Sequence, residues 1–324
     1  MHVIVPYTDI SPKTRLDPIL TASERTAFAQ AMLHDVISTL QSNGHTIELL
    51  VPTETLVQAR EQRDGDGDDL TQTETTAVNT EAVSTSTSTH KDTTERDTAS
   101  GRRVSHPSAD AASVARETVM TILGDSNDLK QKVITQSEHI DTTNNDHNHN
   151  QQIDTVQSHI QPSQITVTAD DRALTPAINR CLDRLSNTEA PFSELAVVMA
   201  DLALITPAAI ERLFAREGDI VLAPGRGGGT NAIVVRHPAF TVDYHGTSYR
   251  DHYQTATDAS LSVGVVDSMR LGTDIDEPAD LPEVLFHNNR ISSAWLQSVG
   301  IELSLNNDTG RVGVTRKGSC AYDD

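Results

Sequence analysis

Apolar positions along the first fifty residues switch between a strand period and a helix period. His2–Pro6 reads as a short strand, and Thr21-Ala-Ser-Glu24 has the form of a capping box that opens a helix. Phe28, Met32, Val36 and Leu40 then recur at helical spacing until Gly44 supplies a stop. Thr46–Val51 is the next expected strand. Further on, 165–168 reads as a strand and 176–185 as a helix with Ile178, Cys181, Leu182 and Leu185 on one face, which assigns Cys181 to the core and not to thiol chemistry. The continuous apolar run 195–199 suits a strand buried on both faces. Thr206-Pro207 is an N-cap followed by proline at the first helical position, so 207–216 is expected helical, with 220–223 the next strand. This alternation predicts an α/β fold with a mostly parallel sheet.

Residues 58–164 break the pattern. They contain no Phe, Trp or Tyr and include tracts such as Ser84-Thr-Ser-Thr-Ser-Thr89, a composition that cannot bury enough apolar surface to offset chain entropy. The segment is therefore read as a disordered, low-complexity insertion. Within it, 111–123 alone has helical apolar spacing (Val114, Val119, Ile122, Leu123) and is expected to be helical at most transiently. His147 and His149 beside Asp146 have metal-ligand chemistry, although solvated polar sequence is the weightier reading. What remains is one discontinuous domain, 1–57 with 165–305, followed by a tail, 306–324.

Composition narrows the function classes. Of 324 residues, 46 are acidic and 25 are Lys or Arg, for a formal charge of −21. A phosphate backbone would be repelled, which argues against nucleic-acid binding. Apolar runs such as 195–199 are far shorter than the about 20 residues a bilayer span needs, the N-terminus lacks secretory features, and two cysteines make no disulfide framework. A cytoplasmic protein with no membrane partner is expected. Because the charge is spread along the whole chain, a high-salt intracellular setting is the simplest account, with an ordinary acidic cytosolic protein as the alternative.

Four stretches carry candidate chemistry. In 222–232 (Leu-Ala-Pro-Gly-Arg-Gly-Gly-Gly-Thr-Asn-Ala), Gly227, Gly228 and Gly229 would let backbone N–H groups approach an anion, and Arg226 adds charge; the alternative is a hairpin turn. It is neither a P-loop, since no Gly-Lys-Ser/Thr follows, nor a dinucleotide fingerprint, since 231–236 reads as a strand. Lys13 and Arg15 follow the first strand, where an open α/β sheet receives ligands, and could hold a triphosphate; an exposed basic turn is the alternative. Asp201 lies at the carboxyl edge of the 195–199 strand, and Asp274 and Asp276 fall on one face of an extended segment. Three converging carboxylates need a cation, which suits Mg²⁺, although Asp276 also fits an N-cap before Pro278 and Asp274 fits surface charge. Finally, Ser248 resembles an N-cap with Asp251 three residues on, in a stretch carrying His245, His252 and three tyrosines. No Gly-x-Ser-x-Gly elbow supports a serine hydrolase.

The order of these motifs (Lys13-Thr-Arg-Leu16, Met199-Ala-Asp201-Leu202, 223–232, Tyr244-His-Gly-Thr-Ser248 and 273–281) resembles the 2-phospho-L-lactate guanylyltransferase family of coenzyme F-420 biosynthesis. The resemblance spans 1–57 and 165–305. It implies a GT-A-like nucleotide-diphospho-sugar transferase fold and a reaction joining GTP to a small phosphorylated three-carbon acid with release of pyrophosphate. It also implies Mg²⁺ on Asp201, Asp274 and Asp276, acid-substrate contacts at Thr230, Asn231, His245, Gly246 and Ser248, and the triphosphate on Lys13, Arg15 and the glycine loop. A homodimer is plausible by the same resemblance. Ala203 departs from the proline the family more often has, which would loosen the loop after Asp201. Thr168 to Thr175 is the candidate region for guanine selection. Another nucleotidyltransferase of this architecture would be expected to carry a glycine-rich loop directly after the first strand, where this chain has Pro6-Tyr7-Thr8-Asp9. A non-catalytic acidic binding protein is the alternative from a different class.

The acidity generates a first prediction. Unfolding free energy measured from low to molar KCl rises with salt; a flat dependence would dismiss the high-salt reading.

Overall fold

The computed structural model describes residues 1–55, 57, 119–123, 160–186, 194–306 and 310–317. The strands β1 (His2–Pro6), β2 (Thr46–Val51), β3 (Ile165–Ala169), β4 (Leu195–Val198), β5 (Ile220–Pro224), β6 (Thr230–Val235) and β7 (Val263–Val265) form one seven-stranded sheet in the order β3-β2-β1-β4-β6-β5-β7. Only β6 runs antiparallel to its neighbours. The fold is α/β with a mostly parallel sheet, as the alternating pattern predicts.

Helix α1 (Ala22–Ser42) opens on the expected capping box. The Thr21 side chain accepts from the Glu24 N–H, Glu24 returns the bond to the Thr21 N–H at 2.8 Å, and Gly44 ends the segment with a left-handed φ of 73°. One face of the sheet is packed by α1 and by α3 (Pro207–Ala215), the other by α2 (Leu174–Ser186) and α4 (Ser248–Asp258). In α2, Ile178, Cys181 and Leu182 are buried as expected, while the Leu185 side chain lies outside the described residues. Burial beside Glu48 pushes the Cys181 thiol up to about 11, which leaves it inert.

A third apolar cluster explains where the chemistry can gather. Leu16, Ala203 and Ile275 pack with Phe28, Leu296 and Trp295, whose ring stacks on Phe28 at 5.6 Å. Each of the first three is fully buried and lies within three residues of Lys13, Asp201 or the Asp274–Asp276 pair. Burying a side chain such as Leu16 or Ile275 is worth about 1.5–3 kcal/mol, so the loops that carry the polar residues are anchored by their own apolar neighbours.

Two boundaries differ from expectation. Residues 119–123 are helical, and Val119, Ile122 and Leu123 enter the core cluster under α1, so this part of the expected insertion belongs to the packed domain. Its three apolar residues are buried in that cluster, a local signal that composition averaged over a hundred residues hides. The remainder of 58–159, including His147 and His149, lies outside the described residues. The expected tail contains β9 (Arg311–Arg316), which pairs antiparallel with β8 (Ile301–Asn306). Arg316 ties the hairpin to α1 through Glu24 and to the Ile19 carbonyl at 2.9 Å. Gly310, with φ of 65°, marks the turn between the two strands.

Within β2, Glu48 is buried and accepts from Thr168 Oγ1 at 2.7 Å and Arg184 at 2.6 Å, with His2 at 2.8 Å. Burial alone would raise its pKa, but these three partners outweigh it and hold the carboxyl at about 2. A depressed carboxyl stabilises the fold above its unfolded value and loses that contribution as pH falls toward about 2. Arg184→Met lowers the unfolding free energy by about 1–2 kcal/mol at pH 7, the half-exposed guanidinium being screened by solvent, and the deficit shrinks in acid urea titrations.

Candidate active site

Lys13 is the centre of the site. Its backbone is left-handed (φ 52°), as is that of Ser11 (φ 47°), conformations that cost non-glycine residues about 1–3 kcal/mol each and so demand a compensating role. The bend turns the side chain inward, where Nζ donates to Asp201 Oδ2 and to Asp276 Oδ1, both at 2.6 Å. Burial would lower the pKa of this ammonium, yet the two carboxylates overcome that and hold it above its ordinary value. Asp201 follows β4, and its carbonyl accepts the Ile275 N–H at 3.3 Å, which stitches the two acidic segments together.

Asp274 completes the convergence by a different contact. Its Oδ1 accepts from Asn231 Nδ2 at 3.1 Å, while burial and the nearby Asp201 and Asp276 raise its pKa. The three acids are therefore close enough to feel one another. Asp276 is not an N-cap. Glu277 occupies that position in a reciprocal box with Asp280, whose Oδ2 also accepts the Asp276 N–H at 3.0 Å.

Among the described residues, no three acidic, histidine or cysteine side chains are already drawn together around a metal position. The donor set nevertheless fits one. Asp201 Oδ1 is a buried acceptor without a hydrogen-bond partner, and the one ammonium bonds Asp201 and Asp276 while Asp274 is left to the Asn231 amide. All-oxygen donors with surplus negative charge suit a hard divalent cation.

The glycine stretch is the β5–β6 hairpin turn, the alternative weighed for it. Gly228, with φ of 84°, lies against Thr247, and its carbonyl accepts the Tyr249 N–H at 3.1 Å, whereas Gly227 and Gly229 face open space. Gly225 is required by its neighbour, since a Cβ there would stand 2.4 Å from Asn231 Oδ1. Asn231, expected to contact substrate, is buried and donates instead to the Leu271 carbonyl at 3.0 Å and to Asp274. Arg226 is likewise engaged, by Asp280, so the turn is clamped to the acidic segment at two points.

Thr230 and Ser248 are side by side but buried. Ser248 Oγ accepts the Thr230 N–H at 3.0 Å, and Thr247, not Ser248, is the N-cap of α4. His252 supports both. Its Nε2 accepts the Asp243 N–H at 2.8 Å, so the ring proton resides on Nδ1 and is donated to Thr230 Oγ1, also at 2.8 Å. Burial holds the ring's pKa down at about 4. His245 is exposed and pairs with Asp243, while the neighbouring Gly246 is left-handed (φ 49°) with nothing packed on it.

A cavity of about 240 Å³ opens beside Lys13, walled by Tyr7, Met32, Met199, Asp201 and Asp276. Arg15 is not among the residues that line it; its exposed guanidinium lies 3.6 Å from Glu277. None of 168–175 lines this cavity: Thr168 is bonded to Glu48, and Thr175 Oγ1 accepts the Tyr244 N–H at 2.8 Å. Sequence reasoning did not single out Asp280 as a support, and Glu277-x-x-Asp280, acid at both ends of a capping box, was the signal available.

A sheet whose carboxyl edge gathers acids and an inward-facing ammonium is that of an α/β enzyme handling anionic substrates. Comparison with known proteins specifies the class: a family profile described as guanylyl transferase CofC like matches residues 1–84 and 119–317. The chain belongs to this family of nucleotidyltransferases. It is 71% identical over 322 residues to a 2-phospho-L-lactate guanylyltransferase of Haloquadratum walsbyi, covering 98% of each chain. A protein of the same name from Natrialba magadii is 36% identical, over 98% of this chain and 99% of that one. A solved structure from Desulfovibrio desulfuricans G20, itself a candidate nucleotide-diphospho-sugar transferase, matches with a TM-score of 0.49 and 12% identity over 91% of this chain and 93% of that one.

His252 makes the site's pH response predictable. In the unfolded chain it takes a proton near pH 6.5 but in the fold only at about 4, so the unfolded state binds more protons between those values. Stability accordingly falls as pH drops through this window, by at most about 1.4 kcal/mol per pH unit. Urea unfolding of His252→Gln lacks this component, and its curve against pH converges on the parent's toward pH 4. Parallel curves would refute the assignment.

Proposed function

We propose that the enzyme joins GTP to 2-phospho-L-lactate, or to a closely related phosphorylated three-carbon acid such as phosphoenolpyruvate, and releases pyrophosphate. The observation that carries this reading is the Lys13 bridge between Asp201 and Asp276 in the wall of the cavity, within a chain that is 71% identical over nearly its whole length to a protein bearing that activity's name.

The chemistry asks little covalent work of the protein. A phosphate monoester is largely ionised near pH 7, so its oxygen can attack the α-phosphorus of GTP directly. One oxygen–phosphorus bond forms, the bond from the α-phosphorus to the bridging β-oxygen breaks, and pyrophosphate leaves with that electron pair. No side chain need remove a proton. The task is to bring two anions together and hold them in line. Lys13 supplies a fixed positive charge, and Arg15, two residues on, is exposed enough to reach a phosphate past its solvent-exposed partner Glu277. The open faces of Gly227, Gly229 and Gly246 admit substrate to the backbone beside Thr230 and Ser248. Mg²⁺ is the proposed cofactor; Asp201, Asp274 and Asp276 would hold it, and when bound it would neutralise phosphate charge. A cytoplasmic location accords with this role, and among the described residues no helix is long and apolar enough to cross a membrane.

The experiment is pyrophosphate release from GTP with 2-phospho-L-lactate, phosphoenolpyruvate and 3-phosphoglycerate in turn, in molar KCl with Mg²⁺. Release with one of the first two is expected, and release with none of the three sinks the reading. Asp201→Asn and Asp276→Asn each lower turnover at least about a hundredfold while leaving the circular dichroism spectrum unchanged. Near-parental turnover in either folded variant would remove these carboxylates from the mechanism.

A further inference from the structure

The chain after Asp201 is an irregular segment with no exposure: Leu202, Ala203, Leu204 and Ile205 are all buried. Buried loop backbone is costly unless its carbonyls find donors. Here the donors come from about 85 residues further along the chain. Asn288 Nδ2 donates to the Ala203 carbonyl at 2.6 Å, and Arg290 Nη2 donates to the same carbonyl at 3.3 Å and to that of Ile205. Both donors are themselves fixed. Arg290 Nη1 donates to the Asp35 carbonyl at 3.0 Å and to Thr39 Oγ1, and Asn288 also donates to Asp35 Oδ2 at 2.9 Å. The Asp35 carboxylate in turn accepts the Ile291 and Ser292 N–H groups, both at 3.1 Å, in the first turn of the helix Ile291–Ser298. The departure at Ala203 therefore does not loosen the loop, because side-chain donors secure it.

We infer that Asn288 and Arg290 are positioning residues for the Asp201 carboxylate. They lie outside the cavity and act through the 202–205 backbone, whose placement sets where Asp201 meets Lys13. A planar guanidinium suits this task because its fork serves three carbonyls and the Thr39 hydroxyl at once, one acceptor more than the three N–H groups of an ammonium can reach.

The test reads Lys13 directly, and only its kinetic arm rests on the guanylyl-transfer reading. Native protein in molar KCl is treated briefly with acetic anhydride, and acetylation of Lys13 is quantified against the exposed Lys317 by mass spectrometry. In Arg290→Met, loosening of the loop raises relative Lys13 labelling about fivefold or more, and Arg290→Lys lies between variant and parent. With GTP and the accepted acid, kcat of Arg290→Met falls about thirtyfold while KM for GTP stays within about twofold, as expected for a misplaced carboxylate and not for lost binding. Should Arg290→Met fail to fold, Asn288→Ser withdraws the shorter donor alone and is scored the same way. Unchanged Lys13 labelling in a folded variant overturns the proposal. An inactive parent would instead sink the substrate reading and leave the labelling result to decide this one.

Discussion

The Lys13 ammonium, bonded at 2.6 Å to both Asp201 and Asp276, is the contact on which the rest of the site depends. Carboxylates from two distant segments could not crowd over the ends of β1 and β4 without a cation between them, since removing charge from water costs several kcal/mol per ion. The protein meets this by bending the chain into a left-handed conformation at Lys13, a local cost set against the burial of Leu16 three residues on. The result is a pre-assembled but incompletely neutralised centre. Asp274 shows this, its pKa raised by burial and by its two acidic neighbours. A site in that condition favours any cation that can share the carboxylates.

What the sequence makes legible follows from how far each interaction reaches. Capping boxes, apolar periods and proline at a helix start act within four residues, so α1, the strands around β4 and the Thr206 cap are readable directly. Lys13, Asp201, Asp274 and Asp276 are readable as candidates because the ends of parallel strands are where an α/β sheet puts its chemistry. Their partners are not. Asn231 sits in a run that reads as ligand-binding, yet its amide is consumed by Leu271 and Asp274 some forty residues on, and nothing local announces this. Asn288 and Arg290 fall in a stretch with no motif at all, and only the closing of the fold brings them under the Asp201 loop. The short helix 119–123 is obscured for the opposite reason: a few apolar residues embedded in a long polar tract matter once the folded core takes them in.

The two sides of the site are built on different physics. Around Lys13 the charges are partly buried and only partly compensated. Around Thr230 and Ser248 the support is a neutral imidazole, His252, whose tautomer is dictated by the Asp243 N–H. Keeping that pillar uncharged at neutral pH fixes the direction of its hydrogen bonds and so the placement of the Thr230 hydroxyl. The hairpin turn joins the halves through Asn231 on one strand and Arg226 at its tip, and the absence of a Cβ at Gly225 is what lets the Asn231 amide lie flat against the turn.

A net charge of −21 poses a problem for an enzyme of two polyanionic substrates, and the distances in the site offer the resolution. The repulsion of the whole surface is long-ranged and is screened beyond about 3 Å at molar ionic strength. The contacts that would hold phosphate are short and partly buried, with Lys13 only about one-eighth exposed, and are screened much less. Raising salt thus weakens the unfavourable term faster than the favourable one. The same acidity that keeps such a surface hydrated is then compatible with anion binding, provided the few cations of the site are recessed and held in place by neighbours, as Lys13 is.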